Sequence, residues 1–230
     1  MLSLSAISFA IATILSGHLA SLCFKPPNPN PNASQAWAKD SVGFFIAHSW
    51  SVLAWRLISF GSGLLHAVVT LLLDCGAASP PRFLNQDLFH WTWTALLGFL
   101  FLFVGAAMRL AAFGALGRRF TFALAKPDEL NTKGIYAYLQ HPSYTGIVLV
   151  VVSIQMLFVR WDGWPAYFVS QNILGSLRGW GFLCHAAAIS LSLYSLGRRV
   201  HDEEAMLKEV FGDKWVAWHR RTKRFIPGVI

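Results

Sequence analysis

The sequence predicts an all-α integral membrane protein with about five transmembrane helices and a cytosolic C-terminal helical tail. Three observations predict it. Of 230 residues, 55% are hydrophobic and 13% charged, against about 25% charged in a soluble domain. The apolar residues gather in stretches close to the roughly 20 residues that a bilayer core requires. The charges are gathered too: residues 1–117 hold eight charged side chains, whereas residues 198–230 hold thirteen, eight basic and five acidic. Disorder is excluded, because it needs low hydrophobicity and high charge.

The elements follow in order. Residues 3–24 form the first span. The N-terminus lacks a basic n-region, so it reads as a membrane helix and not as a cleaved signal. Lys25–Asp40, rich in Pro and Asn, cannot stay helical and is a loop. The second span lies within 44–73, and Asp74–Asp87, with Pro80-Pro81, is a short loop. The third span runs from about Phe89 to Leu116. A polar stretch, residues 117–134, follows. The fourth span covers about 143–160 and the fifth about 179–196, separated by a loop at Gly163-Trp164-Pro165. The chain therefore divides into an N-terminal part, 1–116, with three spans, and a second part, 117–230, with a loop, a two-span hairpin and a C-terminal helix.

The net charge of +8 sits mainly after residue 117. Basic loops stay in the cytosol, which places the 117–140 loop and the tail there and the N-terminus outside. Anionic headgroups account for the charge, and no nucleic acid is implied. Arg56 and Arg109 stand near inner ends of spans, where each can snorkel or line a cytosol-facing pocket. Cys23, Cys75 and Cys184 are scattered and suggest neither a disulfide framework nor a metal site. No Rossmann, P-loop, zincin or nucleophile-elbow motif occurs.

Two stretches carry chemistry. The first, Gly134 to Gly146, places Tyr136, Tyr138, Gln140, His141, Ser143 and Tyr144 around Pro142 at the mouth of the fourth span. Proline suits the first turn of a helix. The second runs from Arg198 to Gly212. As a helix it puts Arg199, Glu203, Met206 and Val210 on one face, and Arg198–Asp202 and Glu204–Lys208 pair at i, i+4. Gly212 fits a C-cap. Beyond it, Trp215 and Trp218 interleave with basic residues, as in an interfacial anchor.

These motifs resemble the isoprenylcysteine carboxyl methyltransferase family. The counterparts are His141-Pro142-Ser143-Tyr144 with Gly146, then Arg199, Glu203, Phe211-Gly212 and Ile226-Pro227, with a membrane hairpin between. The resemblance covers roughly residues 105–230. Gln140 stands where the family usually has Arg. The resemblance implies an S-adenosylmethionine-dependent enzyme of the endoplasmic reticulum membrane. It would esterify the carboxylate of prenylated cysteine in CaaX-type proteins after their proteolysis. Tyr136, His141, Pro142, Ser143, Tyr144 and Glu203 would contact the cofactor, joined by Leu130 and Asn131 from the preceding loop, and Arg199 would face the substrate.

The residues agree with that chemistry. A terminal carboxylate, with a reference pKa of about 3.3–3.7, is already ionised at neutral pH. Its methylation needs no general base, only positioning and desolvation. Arg199 can take a carboxylate in a bidentate fork, and the Pro142 helix start can meet an anion with its N–H groups. The main alternative is a phospholipid amine N-methyltransferase, which would need a base and would not welcome a cation. A sterol-reductase-like enzyme would be longer, and a scaffold has no use for this pairing of polar clusters.

Overall fold

The computed structural model describes residues 1–32, 36–43, 47–226 and 228. The first residues of the expected second span, 44–46, and Pro227 lie outside them. Among the described residues the regular structure is helical, with two isolated β-bridges. Seven α-helices lie wholly within the described residues, in order: α1 (Leu4–Cys23), α2 (Ser49–Asp74), α3 (Trp93–Leu116), α4 (Pro142–Leu157), α5 (Gln171–Leu177), α6 (Gly181–Phe211) and α7 (Asp213–Arg221).

Among the described residues three helices are long and apolar enough to cross a membrane: α1, α2, and α3 with the 3-10 turn that continues it to Arg119. The α5–α6 pair, bent by 70° at its break, is a fourth candidate. The chain is thus an all-α protein of membrane-spanning character. Two elements differ from the sequence expectation. Helix α4 has 16 residues and stops at Leu157, ahead of a turn in which Arg160 Nε and Nη2 donate to Asp162 at 2.9 and 2.7 Å. Helix α6 runs unbroken for 31 residues, so the apolar span and the charged tail are one helix. A mid-helix glycine, Gly197, only weakens a helix, and the flanking residues are helix formers.

The described chain clusters into two compact units, each assembled from three segments. The first holds Met1–Leu22, Trp55–Val104 and Leu149–Ser190. Its α1 and α2 approach closely because small residues face each other. A Cβ at Gly63 would lie 2.7 Å from the Thr13 carbonyl oxygen and 3.0 Å from Gly17 Cα. Ser3 at the start of α1 donates from its amide and hydroxyl to Asp74 at 2.6 and 2.7 Å. His66 is buried, stacked on Phe89 at 4.4 Å and hydrogen-bonded to the Leu88 carbonyl at 2.8 Å.

The second unit holds Cys23–Ala54, Gly105–Val148 and Leu191–Ile230. It contains all of the candidate site residues. The Pro/Asn-rich loop is pinned by its own amides: Asn28 Nδ2 donates to the carbonyls of Gly117 and Phe120, both at 2.8 Å. The following segment lies against 124–125, where Trp37 N–H donates to Leu124 O at 2.8 Å and Ala36 bridges Ala125.

Candidate functional site

The site is built on the start of α4. Gly134, with φ of +58°, opens a 3-10 turn through Ala137, a conformation glycine adopts at no steric cost. The chain then runs beside the segment after α7: Gln140 N–H donates to Lys223 O at 2.8 Å and His141 N–H to Arg224 O at 3.0 Å. Pro142 begins α4 and is fully buried. The N–H groups of Tyr144 and Thr145 return to the His141 carbonyl at 3.0 and 3.1 Å. These bonds commit the His141, Tyr144 and Thr145 amides to protein carbonyls.

The core of the site joins α4 to α6. The Tyr144 hydroxyl donates to Glu203 Oε2 at 2.5 Å and accepts from Arg199 Nε at 3.3 Å. Arg199 is buried. Its Nη1 pairs with the Asp40 carboxylate and its Nη2 donates to the Phe122 carbonyl. All three guanidinium nitrogens therefore donate to protein groups.

One residue further along α6, about 100° around the helix, Glu204 faces another way. Its Oε1 accepts from Arg224 Nε at 2.6 Å and meets His141 Nε2 at 3.2 Å, while its Oε2 accepts from Arg224 Nη2 at 2.9 Å. Half-burial raises the Glu204 carboxyl pKa, but the hydrogen bonds from His141 and Arg224 outweigh it and hold the group at about 2. Gln140 ties the same region together. Its Nε2 donates to the carbonyls of His219, at 3.1 Å, and Thr222, and its Oε1 pairs with His219 Nδ1 at 2.8 Å. An amide serves here because the partners include both donors and acceptors, which a guanidinium could not all satisfy.

Tyr136 and Leu130 sit in an apolar cluster with Ala112, Trp215 and Trp218. Trp218 Nε1 donates to the Tyr136 carbonyl at 3.1 Å. Both tryptophans are buried, so they pack this cluster and do not form the interfacial anchor that their basic neighbours suggested. Burial, together with the Glu203 charge, pushes the Tyr136 phenol above its usual range. Asn131 shapes its own loop: Nδ2 donates to Ala115 O at 3.0 Å and Oδ1 accepts from Lys133 N–H at 3.0 Å.

Sequence reasoning left two participants unassigned. Arg109 neither snorkels nor stays exposed. It is buried, with Nε donating to Cys23 O at 2.8 Å and Nη1 to Ser143 Oγ at 2.7 Å. Phe113, Phe120 and Phe122 surround its guanidinium carbon at 5.0, 5.9 and 5.3 Å, a cation–π environment. The signal was a charge within an apolar stretch. Asp40 is the other. Nothing in its local sequence points to Arg199, 159 positions away.

The sequence of the isoprenylcysteine carboxyl methyltransferase (ICMT) family matches residues 96–164 of this chain. The protein-S-isoprenylcysteine O-methyltransferase of Schizosaccharomyces pombe is 33% identical over 151 residues, 64% of this chain and 54% of that protein. Protein-S-isoprenylcysteine O-methyltransferase A of Arabidopsis thaliana is 35% identical over 144 residues, 61% of this chain and 62% of that protein. The human protein-S-isoprenylcysteine O-methyltransferase is 26% identical over 140 residues, 59% of this chain and 42% of that protein. The matches thus span about half of the curated relatives' length. They bear out the family resemblance that the motifs carry.

Proposed function

We propose that this chain is an S-adenosylmethionine-dependent methyltransferase that esterifies the C-terminal carboxylate of prenylated cysteine. Its substrates are CaaX-type proteins after proteolysis. It works in the endoplasmic reticulum membrane, with its C-terminus and the site on the cytosolic side among membrane lipids. The observation that carries this reading is the 2.5 Å bond between Tyr144 and Glu203. It unites, within one compact unit, the two motifs in which the chain resembles a family whose relatives are named for this reaction.

The residues fit the cofactor's chemistry. A carboxylate offers about four lone-pair sites, and Tyr144 uses one oxygen of Glu203. Glu203 keeps capacity for the amino and ribose hydroxyl donors of an adenosyl amino acid. In this reading the cofactor meets Tyr144, His141, Pro142 and Ser143 on one side and Tyr136, Leu130 and Asn131 on the other. When bound, S-adenosylmethionine supplies an electrophilic methyl group on a sulfonium.

The chain's own work is to orient and to exclude water. The substrate carboxylate arrives ionised and needs no proton removed. It approaches on the Arg199 side of Glu203. There Arg199 acts through its charge and its hold on Tyr144, since its three nitrogens already serve Asp40, Phe122 and Tyr144.

The test offers labelled S-adenosylmethionine to membranes containing the chain, with N-acetyl-S-farnesylcysteine and phosphatidylethanolamine side by side. Base-labile label on the prenylcysteine is expected. Label in the lipid headgroup, or no product from folded protein, would overturn the reading.

A further inference from the structure

Residue 40 lies outside the segment that the family matches, 96–164, and in a loop with no recognisable motif. Yet it supplies the carboxylate nearest the candidate site's buried cation. The Arg199–Asp40 pair is taken out of water, with side-chain exposures of 4% and 10%. We propose that Asp40 is a positioning residue for the methyl-transfer site: it fixes the Arg199 guanidinium and, through Arg199 Nε, the Tyr144 hydroxyl that donates to Glu203. The inference rests on the functional reading above, in which Glu203 holds the cofactor.

The geometry makes Asp40 a preset anchor and not a passing contact. Leu124 N–H donates to Asp40 Oδ2 at 3.0 Å, on the oxygen that Arg199 also uses. The residues around it are fastened independently. Trp37 N–H reaches Leu124 O at 2.8 Å, and the Asp40 amide turns back to the Trp37 carbonyl at 3.2 Å. Ser41 donates from its amide and its hydroxyl to Asp202 Oδ2 at 2.9 and 2.5 Å. Asp202 lies three residues after Arg199 on α6, so the loop grips the helix at two points one turn apart.

Every link in the chain Asp40–Arg199–Tyr144–Glu203 has fixed direction. A guanidinium is a planar fork whose donors cannot turn independently. Once Nη1 is set by Asp40 and Nη2 by the Phe122 carbonyl, the direction of Nε–H is set as well. Nε–H then points at the Tyr144 oxygen, which leaves the hydroxyl proton directed to Glu203. Among the described residues Asp40 Oδ1 has no hydrogen-bond partner, so Asp40 acts through Oδ2, which serves Arg199 and the Leu124 amide. Replacing Asp40 by Asn removes the charge while keeping the shape, and the fork is left with a neutral amide oxygen, a weaker acceptor, to set its plane.

The experiment measures equilibrium binding of labelled S-adenosylmethionine to the solubilised 230-residue chain, then the KM of both substrates. Asp40→Asn is expected to weaken cofactor binding about tenfold, while the KM for N-acetyl-S-farnesylcysteine moves less than threefold. Tyr144→Phe removes the route to Glu203, so Asp40→Asn added to Tyr144→Phe should weaken binding no further. The double variant Asp40→Asn, Arg199→Gln removes both buried charges. It should keep the thermal stability of the parent while its cofactor affinity stays low. Parent-like affinity in Asp40→Asn, additive losses with Tyr144→Phe, or full recovery of affinity in the charge-free double variant would each overturn the inference. A parent protein that binds no S-adenosylmethionine would overturn the functional reading itself, and this inference with it.

Discussion

Gly146, four residues into α4, is where the candidate site depends most on the absence of a side chain. A Cβ placed there would lie 2.6 Å from the Gly105 carbonyl oxygen, 2.8 Å from the Arg109 amide nitrogen and 3.1 Å from Arg109 Cβ. Two of the three are backbone atoms of α3, which cannot swing aside. An Ala at 146 must therefore push α4 from α3, and overpacking of this kind costs about 1–3 kcal/mol. For a chain of this size that corresponds to a fall in melting temperature of roughly 2–12 °C. The displacement also stretches the 2.7 Å bond from Arg109 to Ser143 Oγ, so activity should fall together with stability. Gly114 provides the control: it lies in α3 and a Cβ there meets nothing within 4 Å. Gly114→Ala should be neutral or stabilising by up to about 1 kcal/mol, since alanine fixes a helix more readily than glycine. Detergent-solubilised variants would be heated and the surviving monodisperse protein measured by size-exclusion chromatography. A Gly146→Ala protein as stable and as active as Gly114→Ala would refute the close-approach argument.

Further outcomes follow from the same geometry. Glu204→Gln should cost about 1–3 kcal/mol, because it weakens charged hydrogen bonds to Arg224 and His141; thermal unfolding checks this. The parent's Glu204 carboxyl, held at about 2 against an ordinary 4.5, contributes fully above pH 4.5, and that contribution is lost as pH falls from 4.5 through 2. A melting-temperature profile over that window should drop more steeply in the parent than in Glu204→Gln. Trp218→Phe removes the bond to the Tyr136 carbonyl and should cost about 1 kcal/mol, whereas Trp218→Ala should cost about 3–5 kcal/mol. Denaturation monitored by the remaining tryptophans separates the two. Arg109→Lys keeps the charge but cannot span Cys23 O and Ser143 together, so turnover should fall at least tenfold while the protein still folds. Parent-like turnover in that variant would mean that the Arg109–Ser143 bond plays no part in the site.

Much of the architecture was legible from the chain alone, and specific residues show why. The apolar stretches that became α1, α2 and α3 had to be helical, because a bilayer leaves backbone groups no other partners. Pro142 marked the start of α4, and Gly212, with φ of +53°, marked the end of α6. The order of the motifs around His141 and Arg199 carried the family resemblance. The side-chain pairings were not legible. Local spacing paired Asp202 with Arg198 and Glu204 with Lys208, but in the fold Asp202 accepts from Ser41 and Glu204 binds Arg224 and His141. An exposed i, i+4 pair is worth only about 0.2–0.5 kcal/mol, and a hydrogen bond to a charged group about 1.5–3 kcal/mol. Wherever the fold offers the second kind of partner, it displaces the first.

Composition and hydrophobic length, read from the sequence by itself, determined that this is a helical membrane protein. Its short motifs determined which residues stand at the candidate site. Only the tertiary structure decided how those residues are used. It sank Trp215 and Trp218 into a core beside Tyr136, gave Arg199 to Asp40 and Tyr144, and drew Arg109 into an aromatic pocket under Ser143. The burial of the tryptophans follows from their large apolar area, and the pairings of Arg199 and Arg109 follow from the cost of leaving a buried charged group without a partner. That cost is met by whichever group the fold brings near, and sequence distance does not reveal it.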